Sequence, residues 1–208
     1  EVKIWSELVG GVLWNADTQL ASFQYDKKFL TKEIDLSPIK MPFTNGDRIY
    51  SFHALRRQRD EEAPTFDGLP GLLADSLPDK YGNKLIEIWL SDQGRPPNSM
   101  NPVEKLCFIG TRGMGALEFA LAPSKPSKNT FAVEITSLVE IAKKILSTRE
   151  GFKVNLREDE KKAMREILKI GTSAGGARPK AVIAFNKKTR EVRSGQTMAP
   201  KGFEHWLL

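Results

Sequence analysis

Several things are scarce in this chain, and each scarcity excludes something. A single cysteine, Cys107, stands among 208 residues. One thiol excludes an intramolecular disulfide framework and a cysteine-built zinc site. Two histidines, His53 and His205, supply little for a metal cluster. No apolar run approaches the ~20 residues that span a bilayer, and the longest, Leu85 to Leu90, is interrupted by Glu87. The opening Glu1-Val2-Lys3-Ile4-Trp5 alternates like a strand and lacks the long apolar stretch of a secretory signal. No Ser-His-Asp constellation can be placed. These absences predict a soluble protein of the reducing cytoplasm with no membrane association.

What is present is an ordinary globular balance. With 40% hydrophobic and 28% charged residues, the chain can bury one large core or two small ones. Lys and Arg number 32 against 26 acidic residues, a net +6 that suits a polyanionic partner and equally suits plain solubility. The excess crowds into Arg178, Lys180, Lys187, Lys188, Arg190, Arg193 and Lys201. Base-stacking aromatics are sparse there, with only Phe185, Phe203 and Trp206, so direct nucleic-acid binding ranks last.

Punctuation along the chain predicts an α+β protein. The first 26 residues read as a β-meander broken by Gly10-Gly11 and Asn15-Ala16-Asp17, residues that reach turn geometry cheaply. Lys27 to Phe66 reads as loop with a short strand near Ile49 to Phe52. Asp79 is placed to cap a helix through Tyr81, Leu85, Ile88 and Trp89, closed by Gln93-Gly94. Asn101, Pro102 and Glu104 spell a capping box with the favoured proline, starting a helix that stops at Gly110. A strand is expected from Ala116 to Ala122, and a linker from Pro123 to Asn129. Two amphipathic helices come next, one carrying Leu138, Ile141 and Ile145, the other Ala163, Ile167 and Ile170. Ala181 to Phe185 and Glu191 to Ser194 then form strands around a polar turn, and Phe203 to Leu208 opens another.

One segment carries chemistry. Gly171-Thr172-Ser173-Ala174-Gly175-Gly176-Ala177-Arg178-Pro179-Lys180 packs three glycines, two hydroxyls and two cations between a helix and a strand. Glycines let backbone amides approach a phosphate, and successive N–H groups form an anion-binding nest. It is no Walker A loop, because it leads into a strand. A flexible turn with Gly171 as the helix cap explains the same letters, and both readings stand on the residues alone. Gly110-Thr111-Arg112-Gly113-Met114-Gly115 reads as a structural turn, Asp75 and Asp79 as helix caps, Cys107 as packing, and His53 as surface.

The blocks Gly71 to Asp79, Leu106 to Leu117, Ser173 to Lys180 and His205 to Leu208 together resemble HipA-type serine/threonine kinase toxins, in family order over the whole chain. The resemblance implies residues 1–122 as the N-terminal subdomain, 123–129 as linker, and 130–208 as the start of a kinase-like small lobe with its Gly-rich loop. It implies a toxin of a type II toxin–antitoxin module that uses ATP and Mg²⁺ to phosphorylate a protein target, an aminoacyl-tRNA synthetase in the well-studied members. It implies a DNA-binding antitoxin partner of the HipB type, with DNA reached only through it. Gly175, Gly176, Ala177, Arg178, Pro179 and Lys180 match the loop over the ATP phosphates, and Ser173 matches an autophosphorylated serine. A phosphate on Ser173 would repel the phosphates of ATP.

The sequence also departs from the family. The strand lysine that follows His-Trp-Leu-Leu, the catalytic-loop Asp and Asn, and the Asp that holds Mg²⁺ fall beyond Leu208. Phosphoryl transfer needs those groups as well as a phosphate cradle. The stretch is therefore expected to be inactive alone, with no catalytic residue of its own, as the N-terminal portion of a longer polypeptide. The alternative is a non-catalytic interaction module or split subunit that binds and regulates a kinase or an antitoxin.

Overall fold

Alternation of apolar and polar residues builds the first sheet. In the computed structural model, which describes residues 1–56, 65–121, 182–195 and 199–207, the chain opens with β1 (Val2–Ile4), β2 (Glu7–Asn15) and β3 (Leu20–Tyr25). Val12 and Trp14 lie opposite Phe23 and Ala21 and pack on the core, while Leu13, opposite Ser22, faces out. A later strand, β4 (Leu117–Phe119), pairs with β1, giving an antiparallel sheet of order β3-β2-β1-β4.

The meander is as expected, but one turn is not where glycine suggests it. Gly10 and Gly11 both lie inside β2, opposite Tyr25 and Gln24. The physical reason is close strand approach: a Cβ on Gly10 would collide with the Gln24 carbonyl oxygen and meet the Phe23 ring at 3.0 Å. The β1–β2 turn is made instead by Trp5 and Ser6, at φ 50° and 67°. That left-handed two-residue geometry is usually left to Asn and Gly. The next turn falls where the letters place it, with Asn15 Oδ1 accepting from the amides of Asp17 (2.9 Å) and Thr18 (3.0 Å).

The loop expected after β3 holds more structure than its punctuation suggests. Asp26 Oδ1 accepts from the Lys28 amide at 2.9 Å and starts the short helix α1 (Lys27–Leu30). The strand expected near Ile49 to Phe52 shrinks to a single bridge, in which Phe23 and Tyr50 exchange backbone bonds of 2.9 and 2.8 Å. Short 3₁₀ turns at Phe43–Asn45 and His53–Leu55 flank it. The bridge seats Tyr50 against the core, where Tyr25 meets Phe23 edge-on at 4.9 Å and Tyr50 at 6.1 Å.

Helices α2 (Gly71–Ala74) and α4 (Pro102–Ile109) belong to the same unit. Leu73 and Leu106 are fully buried in its core with Val2, Phe29 and Met41. Each such side chain contributes about 1.5–3 kcal/mol of transfer free energy. The capping box of α4 is complete: Asn101 Oδ1 accepts from the Glu104 amide at 3.0 Å, and Glu104 Oε2 from the Asn101 amide at 2.8 Å. Gly110, at φ 62°, ends the helix, and its carbonyl accepts from the Phe119 amide at 3.1 Å. The strand expected over Ala116 to Ala122 is thus shorter, at Leu117–Phe119.

The second unit contains α3 (Lys80–Asp92), the turn at 111–114 and a three-stranded sheet. Asp79 caps α3 as expected, its Oδ1 accepting from the Gly82 amide at 2.8 Å, and Gly94 follows the helix at φ 72°. Tyr81, Leu85 and Ile88 share a buried stripe with helical spacing. The sheet consists of β5 (Val182–Phe185), β6 (Val192–Ser194) and β7 (Glu204–Leu207), antiparallel in the order β6-β5-β7. All three strands lie within the runs that the sequence marks. The linker 123–129 and the two amphipathic helices before Gly171 lie outside the described residues.

Candidate functional site

The segment singled out for phosphate chemistry, with Ser173, Gly175, Gly176, Ala177, Arg178, Pro179 and Lys180, lies outside the described residues. The strand that leads away from it is β5. This strand starts at Val182, two positions after Lys180, and pairs on both sides: Val182 to Phe185 with Leu207 to Glu204, and Ile183 to Phe185 with Ser194 to Val192. Ile183 and Ala184 are buried, so the strand is anchored by packing as well as by its ladders. The polar turn between β5 and β6 is an Asx turn, with Asn186 Oδ1 accepting from the Lys188 amide at 2.9 Å and from Thr189 at 3.2 Å.

Gly195, just past β6, lies close against the start of β5. Its amide donates to the Val182 carbonyl at 2.9 Å. A Cβ there would stand 2.7 Å from Val182 Cγ1 and 2.8 Å from the carbonyl carbons of Val182 and Ile183. Sequence reasoning missed this residue. A glycine after a strand reads as a turn, and no local signal reveals the backbone it must press against.

The basic end is less free than its composition suggests. Lys187 Nζ pairs with Glu204 at 2.8 Å and lies 5.5 Å from the centre of the Trp206 ring. Arg193 pairs with Glu191 through Nη2 and Nε, both at 2.7 Å, and covers the Phe203 ring at 5.4 Å. Two cations are thus engaged by the sheet's own carboxylates and aromatics, while Lys188, Arg190 and Lys201 are exposed.

The other sequence candidates resolve into structural roles. Leu73 and Ala74 of the Gly71–Asp79 block are buried, Asp75 is the C-cap of α2 and Asp79 the N-cap of α3. Burial pushes the Cys107 thiol above its ordinary value, which disfavours the nucleophilic thiolate. His53 is exposed in its 3₁₀ turn. Tyr25, held at about 12 by burial, donates to the Met41 carbonyl at 2.9 Å, and burial likewise holds Tyr81 at about 12. Arg112, read from sequence as part of a plain turn, is half-buried, and desolvation lowers its pKa. Among the described residues no three His, Cys, Asp or Glu side chains group to hold a metal. No described helix is long and apolar enough to cross a membrane.

On the outer face of the first sheet, Leu8, Leu13 and Ile49 line a shallow hollow over Gly11, where a Cβ would meet nothing within 4 Å. All three aliphatic side chains are exposed.

No curated protein matches the chain. Among solved structures, a chain of the Shewanella oneidensis MR-1 toxin–antitoxin complex of HipA, HipB and operator DNA is similar at 14% identity, with a TM-score of 0.46. The match covers 93% of this chain and 37% of that one, so this chain spans well under half its length. Residues 1–120 match the family model of the HipA N-terminal domain, which takes in β1 to β4 and α1 to α4. With more than half of its length matched, the chain belongs to the HipA N-terminal domain family.

Proposed function

We propose that this chain is the N-terminal portion of a HipA-like serine/threonine kinase toxin of a toxin–antitoxin module, with residues 175–180 as the cradle for the phosphates of ATP. The observation that carries the reading is the family match over residues 1–120, on the same chain as the Gly-rich segment. The described β5 supports it, because a phosphate loop needs a fixed outgoing limb and this strand is hydrogen-bonded on both sides. In this reading backbone amides of Gly175, Gly176 and Ala177 and the ammonium of Lys180 bind the phosphates. Bound ATP supplies the transferable phosphoryl group. Ser173 is the regulatory phosphoacceptor, whose added charge opposes ATP.

ATP titration of the chain tests the cradle. Lys180→Ala should weaken ATP binding by about tenfold, the loss of one charge-assisted contact. Equal affinities in the two proteins would refute the assignment. For the full-length kinase, Ser173→Ala should abolish loop autophosphorylation while the fold survives, and unchanged phosphate incorporation would refute that role.

The partner is a HipB-type antitoxin, and DNA is reached through it. The sparseness of base-stacking aromatics in the basic end, with only Phe185, Phe203 and Trp206, supports an indirect role. Operator DNA should therefore shift on a gel with antitoxin present and not with this chain alone at physiological salt. A second reading, an interaction module without catalysis, is favoured by the exposed Leu8, Leu13 and Ile49 on one sheet face. Absence of ATP binding together with retained antitoxin binding would select it.

A further inference from the structure

Asn45 is the one asparagine of the chain that a glycine follows. Such a pair deamidates readily, because the glycine carries no side chain to hinder attack by its own amide nitrogen. The Gly46 nitrogen attacks Cγ of Asn45, the N–Cγ bond forms, the Cγ–Nδ2 bond breaks, and ammonia leaves with the amide proton. Water then opens the cyclic imide and leaves aspartate or isoaspartate at that position.

The fold opposes this step at the attacking atom and at the backbone around it. Asn45 ends the 3₁₀ turn Phe43–Asn45, and the Gly46 amide donates to the Phe43 carbonyl at 3.0 Å. Gly46 continues the helical backbone at φ −67° and ψ −18° and is buried, whereas Asn45 is exposed to water. The Asn45 carbonyl accepts from the Arg48 amide at 3.0 Å and from the Tyr50 hydroxyl at 3.0 Å. The same hydroxyl reaches the Pro42 carbonyl at 3.1 Å, and Tyr50 is itself held by burial and by its bridge to Phe23. The Leu30 methyls occupy the space that a Cβ on Gly46 would fill, so packing against α1 favours the glycine that makes the pair labile.

We infer that Asn45 is a spontaneous modification site latched by Tyr50. Imide formation needs the Gly46 nitrogen freed from Phe43 and turned towards Asn45 Cγ, so it proceeds only from chains in which residues 42–48 have opened. The change is one-way. Isoaspartate routes the backbone through the former side chain and turns the carbonyl that Tyr50 holds into a free carboxylate. A turn so altered does not re-form its bonds, and each opening that reacts leaves a covalent record. This site is independent of the phosphate reading.

The experiment ages the full chain at mildly alkaline pH, folded and in urea. Residue 45 is followed by peptide mass mapping and by labelling with an isoaspartyl methyltransferase. Folded wild type should modify at least about tenfold more slowly than the unfolded chain. Tyr50→Phe, which keeps the ring and drops the hydroxyl, should modify about fivefold faster than wild type, the scale of one net hydrogen bond. Equal rates folded and unfolded, or an unchanged rate in Tyr50→Phe, overturn the inference. So does an acceleration that only matches the variant's loss of global stability, read from urea unfolding. If Tyr50→Phe does not fold, hydrogen exchange on the wild type decides. Modification of Asn45 and exchange of the Gly46 amide should rise in parallel as urea increases below the unfolding midpoint, and modification that does not follow the opening of that amide overturns the inference.

Discussion

Adjacent glycines in one strand should respond in opposite directions to the same substitution. Gly10 and Gly11 both lie in β2, yet only Gly10 faces the neighbouring strand closely enough for its missing Cβ to matter. In Gly10→Ala the new methyl collides with the Gln24 carbonyl and crowds the Phe23 ring, which is itself fully buried. Neither can retreat without disturbing the core, so the cost is that of overpacking, about 1–3 kcal/mol. In Gly11→Ala the methyl meets nothing within 4 Å. Its gain comes from the unfolded chain, which has less freedom to lose, and amounts to about 0.4–1 kcal/mol. The two variants should therefore differ by roughly 1.5–4 kcal/mol, a gap in melting temperature of about 3–16 °C at this chain length. Differential scanning calorimetry or thermal circular dichroism reads it directly. A Gly10→Ala variant that melts at or above Gly11→Ala would refute the close β2–β3 approach and restore the turn that the Gly-Gly pair suggests.

Two further outcomes rest on local chemistry. Asn101→Ala should lower stability by about 1 kcal/mol, whereas Asn101→Gly should cost only a few tenths, because the capping box loses its acceptor in both but glycine suits the cap backbone; urea midpoints of the two variants check the order. The folded protein should resist tyrosine ionisation, since burial holds Tyr25 and Tyr81 at about 12 and raises Tyr50. An unfolded phenol ionises near 10, so stability is intact below that pH and drains away as pH rises from about 10 to 12. Absorbance titration of native protein with a midpoint at 10 would contradict the burial described.

How much of the fold is legible in the sequence depends on how local the cause is. The Asn101-Pro102-Val103-Glu104 start, the Asp79 cap and the Asn186 turn each involve bonds across two or three residues, and all three are legible. Gly10-Gly11 misleads because its cause is the opposite strand, not its own backbone preference. Trp5-Ser6 carries no turn signal, and only the pairing of β1 with β2 holds those residues at positive φ. Helix α1 escapes sequence reading because Asp26 is followed by a single turn, too short for a periodic pattern. The family is legible through its blocks, yet in the Gly71–Asp79 block the described side chains pack and cap rather than react. The Gly-rich letters of the candidate site announce themselves, while the close packing of Gly195 on β5 becomes visible only through the atoms its Cβ would meet.

The pairing of β1 with β4 has a consequence for biosynthesis. Val2 waits for Phe119, a partner more than a hundred positions later. At bacterial-like elongation of about 5–20 residues per second, the ribosome needs roughly ten seconds to deliver it. During that interval β1, β2 and β3 can zip as a local meander, but one flank of β1 stays bare, with Val2 and Ile4 lacking the cover they later receive. A nascent chain in that state presents an open strand edge with which another chain can pair. Synonymous slow codons placed before position 117 would lengthen the exposure without changing one atom of the finished protein.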